Sequence, residues 1–128
     1  MRLEHIAVWV ENLEKIKDFY MKYFQLECSD KYVNTKKEFS SYFLSFGQGA
    51  RIELMHNPDI QNKSRPDNMS AGITHLAISV GNRVAVDELT EQIRQDGHIV
   101  SGEPRTTGDG CYESVILDPE GNIIEITE

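Results

Sequence analysis

Two histidines and two glutamates are the residues of this 128-residue chain whose types and spacing could support chemistry. His5 and His75 each take the third position of a short apolar segment, 3–10 (LEHIAVWV) and 73–80 (ITHLAISV). Glu53 and Glu125 each interrupt an aliphatic segment, RIELM at 51–55 and NIIEIT at 122–127. Imidazole and carboxylate together form a mixed N/O ligand set that suits Ni, Co, Zn, Fe or Mn. The four residues could therefore bind one divalent metal ion.

An internal repeat relates the members of this set. His75 follows His5 by 70 residues, and Asn82 follows Asn12 by the same interval. Toward the end of each half the offset grows to 72, which relates Glu125 to Glu53. A two-residue insertion in one loop accounts for that drift. The repeat predicts a module at 1–56, a Pro-containing polar linker at 57–71 and a second module at 72–128, within one domain.

Each module is predicted to contain a strand, a helix and about three further strands. Strand alternation places each candidate ligand on the face opposite the aliphatic side chains. The first helix is expected from Asn12, a good N-cap, to near Gln25, and the second from Asn82 to Gly97. The helices must cover the aliphatic faces, which leaves the imidazoles and carboxylates on the other face. A cation there would offset the cost of burying the carboxylates.

Composition excludes several other classes of function. The chain has 13 basic and 21 acidic residues, a formal net charge of −8 that disfavours nucleic acid and anionic membranes as partners. No apolar run approaches the roughly 20 residues of a membrane span, and the N-terminus lacks the features of a signal peptide. Cys28 and Cys111 form no close pair and suit a reducing compartment. We therefore expect a cytoplasmic protein.

Several segments together resemble the vicinal-oxygen-chelate (VOC) superfamily, which includes glyoxalase I, methylmalonyl-CoA epimerase, bleomycin-resistance proteins and extradiol dioxygenases. These segments are EHIAVWV, THLAISV, RIEL and LDPEGNIIEI, and the resemblance is closest to small bacterial glyoxalase I-like proteins. It implies an α+β fold in which two βαβββ modules form a curved, cup-shaped mixed sheet with helices on the outer face. It also implies a homodimer.

The resemblance implies that four residues correspond to the metal ligands of glyoxalase I: His5, Glu53, His75 and Glu125. It implies a lyase or isomerase that acts on the hemithioacetal of an α-oxoaldehyde. Glu125 would move a proton between carbons of the metal-bound substrate, and Glu53 would bind the metal from the other module. General base catalysis beside a polarising cation is physically reasonable for such a reaction.

Three further residues are candidates for substrate binding. Asn57 matches a glutathione-contacting asparagine of glyoxalase I, but Trp9 stands where bacterial glyoxalase I has a glutathione-binding arginine. Trp9 could form a wall of the substrate site or simply fill space. Arg51 could bind an anionic group or be a solvated residue at a strand edge. The arginine-to-tryptophan difference argues against glutathione as the thiol.

Other members of the superfamily provide alternative functions. Epimerases usually carry glutamine at the position of Glu53, and fosfomycin-resistance transferases and extradiol dioxygenases use two histidines and one glutamate. A metal-free module that sequesters a drug or metabolite, as in the bleomycin-resistance branch, is an alternative from another class. Such modules typically lack the complete ligand set, so metal content distinguishes them from the enzymes.

Overall fold

The computed structural model describes residues 1–60 and 71–128 of the chain. The chain divides into two compact units, Met1–Ser64 and Arg65–Glu128. That division falls within the predicted linker 57–71, of which residues 61–70 lie outside the described residues. Each unit contains one helix and one mixed sheet, so the predicted α+β class is confirmed.

Within residues 1–60 the first unit contains one helix and five strands. Its elements are β1 (His5–Trp9), α1 (Leu13–Phe24), β2 (Glu27–Cys28), β3 (Tyr32–Asn34), β4 (Phe39–Ser45) and β5 (Arg51–His56). The strand order is β1-β5-β4-β2, with β3 also paired to β4, and only the β1–β5 pair is parallel.

The sequence near 26–33 predicts one weakly patterned strand, but the structure has two short strands there, β2 and β3, both antiparallel to β4. At the break, the hydroxyl of Ser29 accepts the backbone N–H of Phe43 at 3.0 Å. The Ser29 side chain thus accepts from a backbone N–H of β4 that could otherwise pair with the backbone of a continuous strand.

The second unit repeats the pattern, with one helix and four strands in its described residues 71–128. Its elements are β6 (His75–Ser79), α2 (Arg83–Gln95), β7 (Val100–Thr106), β8 (Tyr112–Leu117) and β9 (Ile123–Thr127). The strand order is β6-β9-β8-β7, and the β6–β9 pair is parallel as β1–β5 is. The internal repeat seen in the sequence is therefore also a repeat of topology.

Both helices begin and end as their sequences predict. The side chain of Asn12 accepts from the N–H of Lys15, and that of Asn82 accepts from Ala85, each at 3.0 Å. These bonds satisfy one of the free N–H groups at each helix start. At the end of α2, Gly97 has φ +85° and belongs to a Schellman-type closure. Neither helix in the described part of the chain is long and apolar enough to cross a membrane.

Each helix packs on one face of its own sheet. In the first unit the buried side chains are Leu13, Ile16, Phe19, Tyr20, Tyr23 and Phe24 of α1 against Leu44, Ile52 and Leu54 of the sheet. In the second unit they are Val86, Thr90 and Ile93 of α2 against Ile78, Ile116, Ile124 and Ile126. Since side chains alternate along a strand, the residues between these aliphatics lie on the face that the helix of the same unit leaves uncovered.

Candidate metal site

The first pair of candidate ligands lies on neighbouring parallel strands. In the β1–β5 register Ala7 is the partner of Glu53, so His5, two residues earlier on β1, shares the same face. His5 Nε2 lies 3.8 Å from Glu53 Oε2. The Glu53 side chain is only 15% exposed and that of His5 is 40% exposed. The imidazole is thus within reach of solvent while the carboxylate lies deeper.

The second pair has the same register in the other unit. Ala77 is the partner of Glu125, and His75 precedes Ala77 by two residues on β6. His75 Nε2 lies 3.1 Å from Glu125 Oε2, and the Glu125 side chain is 22% exposed. The repeat therefore reproduces the His–Glu pair itself as well as the strands that carry it.

These separations can be compared with those of ligands on one metal ion. Nitrogen and oxygen ligands lie about 2.0–2.2 Å from a divalent transition metal, so neighbouring ligands are about 3.0–3.4 Å apart. The His75–Glu125 distance of 3.1 Å falls in that range. The His5–Glu53 distance of 3.8 Å needs a side-chain shift of about half an ångström to reach it. Both pairs fit a cation that bridges imidazole nitrogen and carboxylate oxygen.

Within the described part of the chain, neither unit by itself forms a complete metal site. Among residues 1–60 and 71–128, no group of three or more histidine, cysteine, aspartate or glutamate side chains is placed to hold a metal ion. The structure brings the four candidates together as two pairs, and the predicted four-ligand set is not tested by this arrangement.

His5 has neighbours that the sequence analysis did not single out. Its Nδ1 is hydrogen-bonded to a carboxylate oxygen of Glu4, whose other oxygen accepts from the guanidinium of Arg51. The His5 hydrogen bond, helped by Arg51, holds the pKa of Glu4 below its usual value. The Arg51 guanidinium also lies 4.2 Å from the ring centroid of Phe43. The only hint in the sequence was a carboxylate directly before a candidate ligand.

The uncovered face of the second sheet holds another ion pair that sequence reasoning missed. Arg105 donates to Glu113 at 3.3 Å, and the Glu113 side chain is mostly buried. Glu113 lies two residues before Val115, the β8 partner of Glu125, so it shares the face of the candidate ligand. The weak pattern of β7, with a Gly-Glu-Pro sequence and register shifts, concealed this pairing.

The turn before β9 explains how Glu125 is placed. Asp118 is buried and accepts the N–H groups of Glu120 and Asn122 at 2.9 Å and the Asn122 amide at 2.8 Å. Burial raises the pKa of Asp118, although these hydrogen bonds favour its charged form. Gly121 has φ +83°, a conformation that glycine adopts readily. The Asp-Pro-Glu-Gly motif is therefore a hydrogen-bonded turn that sets the start of β9.

The candidate substrate residues all lie in the first unit. The Trp9 side chain points to the same face as His5, is about half exposed and meets Phe39 edge-on, with ring centroids 6.0 Å apart. The amide of Asn57 donates to the carbonyl of Lys37, and its oxygen accepts from Asp59 N–H. Arg51 contacts Glu4 as described. These contacts place the three side chains without testing their predicted roles.

Comparison with known proteins adds independent information. The sequence model of the Glyoxalase/Bleomycin resistance protein/Dioxygenase superfamily matches residues 2–126. The chain belongs to this superfamily. It is 30% identical over 132 residues to the lactoylglutathione lyase of Escherichia coli O157:H7, covering all of this chain and 93% of that protein. It is 28% identical to a probable lactoylglutathione lyase of Vibrio cholerae, covering 99% and 90%.

Solved structures of the superfamily have the same fold. A glyoxylase/bleomycin resistance protein/dioxygenase domain from Frankia sp. EAN1pec matches with a TM-score of 0.83 at 16% identity, over 99% of this chain and 96% of that one. Glyoxalase I from Zea mays matches with a TM-score of 0.81 at 23% identity, over 98% of this chain. The match spans only 44% of the maize chain. At these identities the likeness supports the superfamily fold and carries no argument about substrate.

Proposed function

We propose that this superfamily member is a metal-dependent, glyoxalase I-like lyase that acts on the hemithioacetal of an α-oxoaldehyde. The observation that supports it best is the recurrence of one His–Glu pair, in the same strand register, on the uncovered face of both sheets. If these histidines and glutamates were only solvated surface residues, nothing would require the same pair to recur in both units. The similarity to lactoylglutathione lyases at about 30% identity agrees with this proposal.

In the proposed site His5, Glu53, His75 and Glu125 bind one ion of Ni, Co, Zn, Fe or Mn. When bound, such an ion would act as a Lewis acid toward two adjacent substrate oxygens. The imidazoles of His5 and His75 would help to hold it, since Nε2 of each lies nearest the glutamate of its pair. The carboxylates have two tasks, since each can bind the ion and can also accept a proton. We assign the proton transfer between the substrate carbons to Glu125, and Glu53 would bind the ion as the carboxylate of the other module.

The substrate side of the proposal involves Trp9, Asn57 and Arg51. The half-exposed indole of Trp9 provides an apolar wall on the face of His5, which favours a thiol less polar than glutathione. The Arg51 cation is already paired with Glu4, which weakens it as an anchor for a substrate carboxylate. Asn57 can contact substrate only by exchanging or sharing its loop hydrogen bonds. These contacts argue against glutathione as the thiol, and the assays below compare it with other thiols.

Metal analysis tests the proposal first. The protein should be purified without chelator and its content of Ni, Co, Zn, Fe and Mn measured, alongside His75→Ala and the control His98→Ala. His98 follows α2 and lies outside both pairs. Stoichiometric metal in the wild type and in H98A, with loss in H75A, would support the site. A protein that binds none of these ions, even when they are added, would instead be a metal-free binding module.

Activity assays then separate the enzyme classes. Methylglyoxal should be tested with glutathione and with other thiols, and methylmalonyl-CoA should be tested for epimerisation. Turnover of methylglyoxal with a thiol other than glutathione is the expected result. Epimerisation alone would replace the lyase by an epimerase, and loaded protein inactive in both assays would refute the lyase. We also propose that the protein is a cytoplasmic homodimer. Light scattering coupled to size-exclusion chromatography tests the oligomeric state.

A further inference from the structure

We infer that Glu4 is a positioning residue that holds the His5 imidazole in the tautomer whose Nε2 lone pair faces Glu53, and that Arg51 holds Glu4 in place. The inference rests on the proposed function in so far as His5 is a metal ligand. The internal repeat does not include this carboxylate, because the residue equivalent to Glu4 in the second unit is Thr74. The arrangement is therefore specific to one half of the protein.

The two oxygens of Glu4 have different partners. Oε2 contacts His5 Nδ1, and Oε1 accepts from the Arg51 Nη2. The backbone reinforces this, since the Arg51 N–H donates to the Glu4 carbonyl at 3.0 Å and His5 is the register partner of Arg51. A carboxylate held at both oxygens and through its own main chain has little freedom to rotate away from the imidazole.

Phe43 restrains the other side of the same cluster. Its ring meets the His5 ring edge-on with centroids 5.5 Å apart, and the guanidinium of Arg51 lies 4.2 Å from its centroid. Phe43 is also the register partner of Glu53 on β4. One aromatic side chain thus packs against the imidazole and the cation while its own backbone is paired with that of the candidate carboxylate ligand.

Hydrogen bonding at Nδ1 decides what Nε2 can do. A neutral imidazole carries one N–H, so donation from Nδ1 to a carboxylate leaves the lone pair on Nε2. Nε2 is the atom that lies 3.8 Å from Glu53, where a cation would have to bind. Losing such a partner of a ligating histidine typically lowers metal affinity by about 10- to 100-fold. Arg51 contributes by orienting Glu4, through its guanidinium on Oε1 and its backbone N–H on the Glu4 carbonyl.

Nuclear magnetic resonance of the metal-free, full-length protein tests the tautomer directly. Long-range proton–nitrogen spectra at a pH where the imidazoles are neutral should show His5 with its hydrogen on Nδ1. In Glu4→Ala the hydrogen should move to Nε2 for a substantial fraction of molecules, and Glu4→Asp should restore part of the Nδ1 form. The matched control Thr74→Val should leave His5 unchanged. A His5 that carries its hydrogen on Nε2 in the wild type would overturn the inference.

Metal affinity provides the second measurement. Competition with a chromophoric chelator, using Co²⁺ as the probe, should show about 10- to 100-fold weaker binding in E4A and an intermediate loss in Arg51→Met, with none in T74V. Equal affinity of E4A and wild type would overturn the positioning role. Failure of the wild type to bind Co²⁺ and each of Ni, Zn, Fe and Mn would refute the proposed function, and the tautomer spectra would then still decide whether Glu4 positions His5.

Discussion

Replacement of Thr90 by valine should destabilise the second unit because it leaves a hydroxyl unpaired in the core. The Thr90 hydroxyl lies 2.6 Å from the Val86 carbonyl and 2.6 Å from the hydroxyl of Ser114. Thr90 has a single hydroxyl hydrogen, which the carbonyl must accept, so Ser114 must donate to Thr90. Both side chains are buried, Ser114 completely. These bonds tie α2 to β8, the strand next to the one that carries Glu125.

The magnitude follows from which groups lose their partners. Valine is close to threonine in volume, so T90V opens no large cavity, but it removes the acceptor of the Ser114 hydroxyl. A buried unsatisfied donor costs about 1–3 kcal/mol. Ser114→Ala should cost less, about 0.5–1.5 kcal/mol, since Thr90 keeps its bond to the carbonyl. In the double variant no hydroxyl is left unpaired, so its cost should fall below the sum of the single costs by about 1 kcal/mol.

Urea unfolding followed by circular dichroism measures these differences, provided that the slope with denaturant does not change. Thr35→Val serves as the control because Thr35 is exposed, and it should shift the free energy of unfolding by less than about 0.5 kcal/mol. Costs of T90V and S114A that simply add, or a T90V variant as stable as wild type, would show that the hydroxyl pair does not contribute as reasoned.

Two further changes test other contacts. Glu14 on α1 accepts hydrogen bonds from Lys31, Lys17 and Tyr42, which lower its pKa to about 2, mainly through Lys31. Because this carboxylate is half exposed, Glu14→Gln should lower the free energy of unfolding by only about 0.5–1 kcal/mol at pH 7. The pKa of Glu14 is lower in the folded state, so only the ionised carboxylate contributes this stability, and the cost should shrink as the pH falls from 4.5 toward 2. Urea unfolding across that pH range measures the cost, and a cost that grows in acid would contradict the prediction. Gly102→Ala should lower the stability measured by thermal unfolding by about 1–3 kcal/mol, because the added Cβ would lie 3.0 Å from Val115 Cγ2. The control Gly108→Ala should be nearly neutral, since no atom lies within 4 Å of its added Cβ. Equal effects of the two substitutions would refute the packing argument.

Much of the fold was readable from local sequence patterns. Asn12 and Asn82 cap the two helices as predicted, and the alternation of residues around Glu53 and Glu125 places both carboxylates opposite the helices. These features depend on residues close together in the chain, so a single sequence contains them. The split of the segment at 26–33 was missed because it depends on a hydrogen bond from Phe43, which is distant in sequence.

Local sequence patterns establish the repeat, the helix ends and the face on which each candidate ligand lies, because a period of two or 3.6 residues is a local property of the chain. The side chains that meet across strands follow instead from how the strands pair. Strand register places His75 3.1 Å from Glu125 and allows Arg51 to donate to Glu4. Neither contact follows from the spacing of residues along one strand. Register depends on the pairing of segments dozens of residues apart, and that pairing determines how each histidine is held.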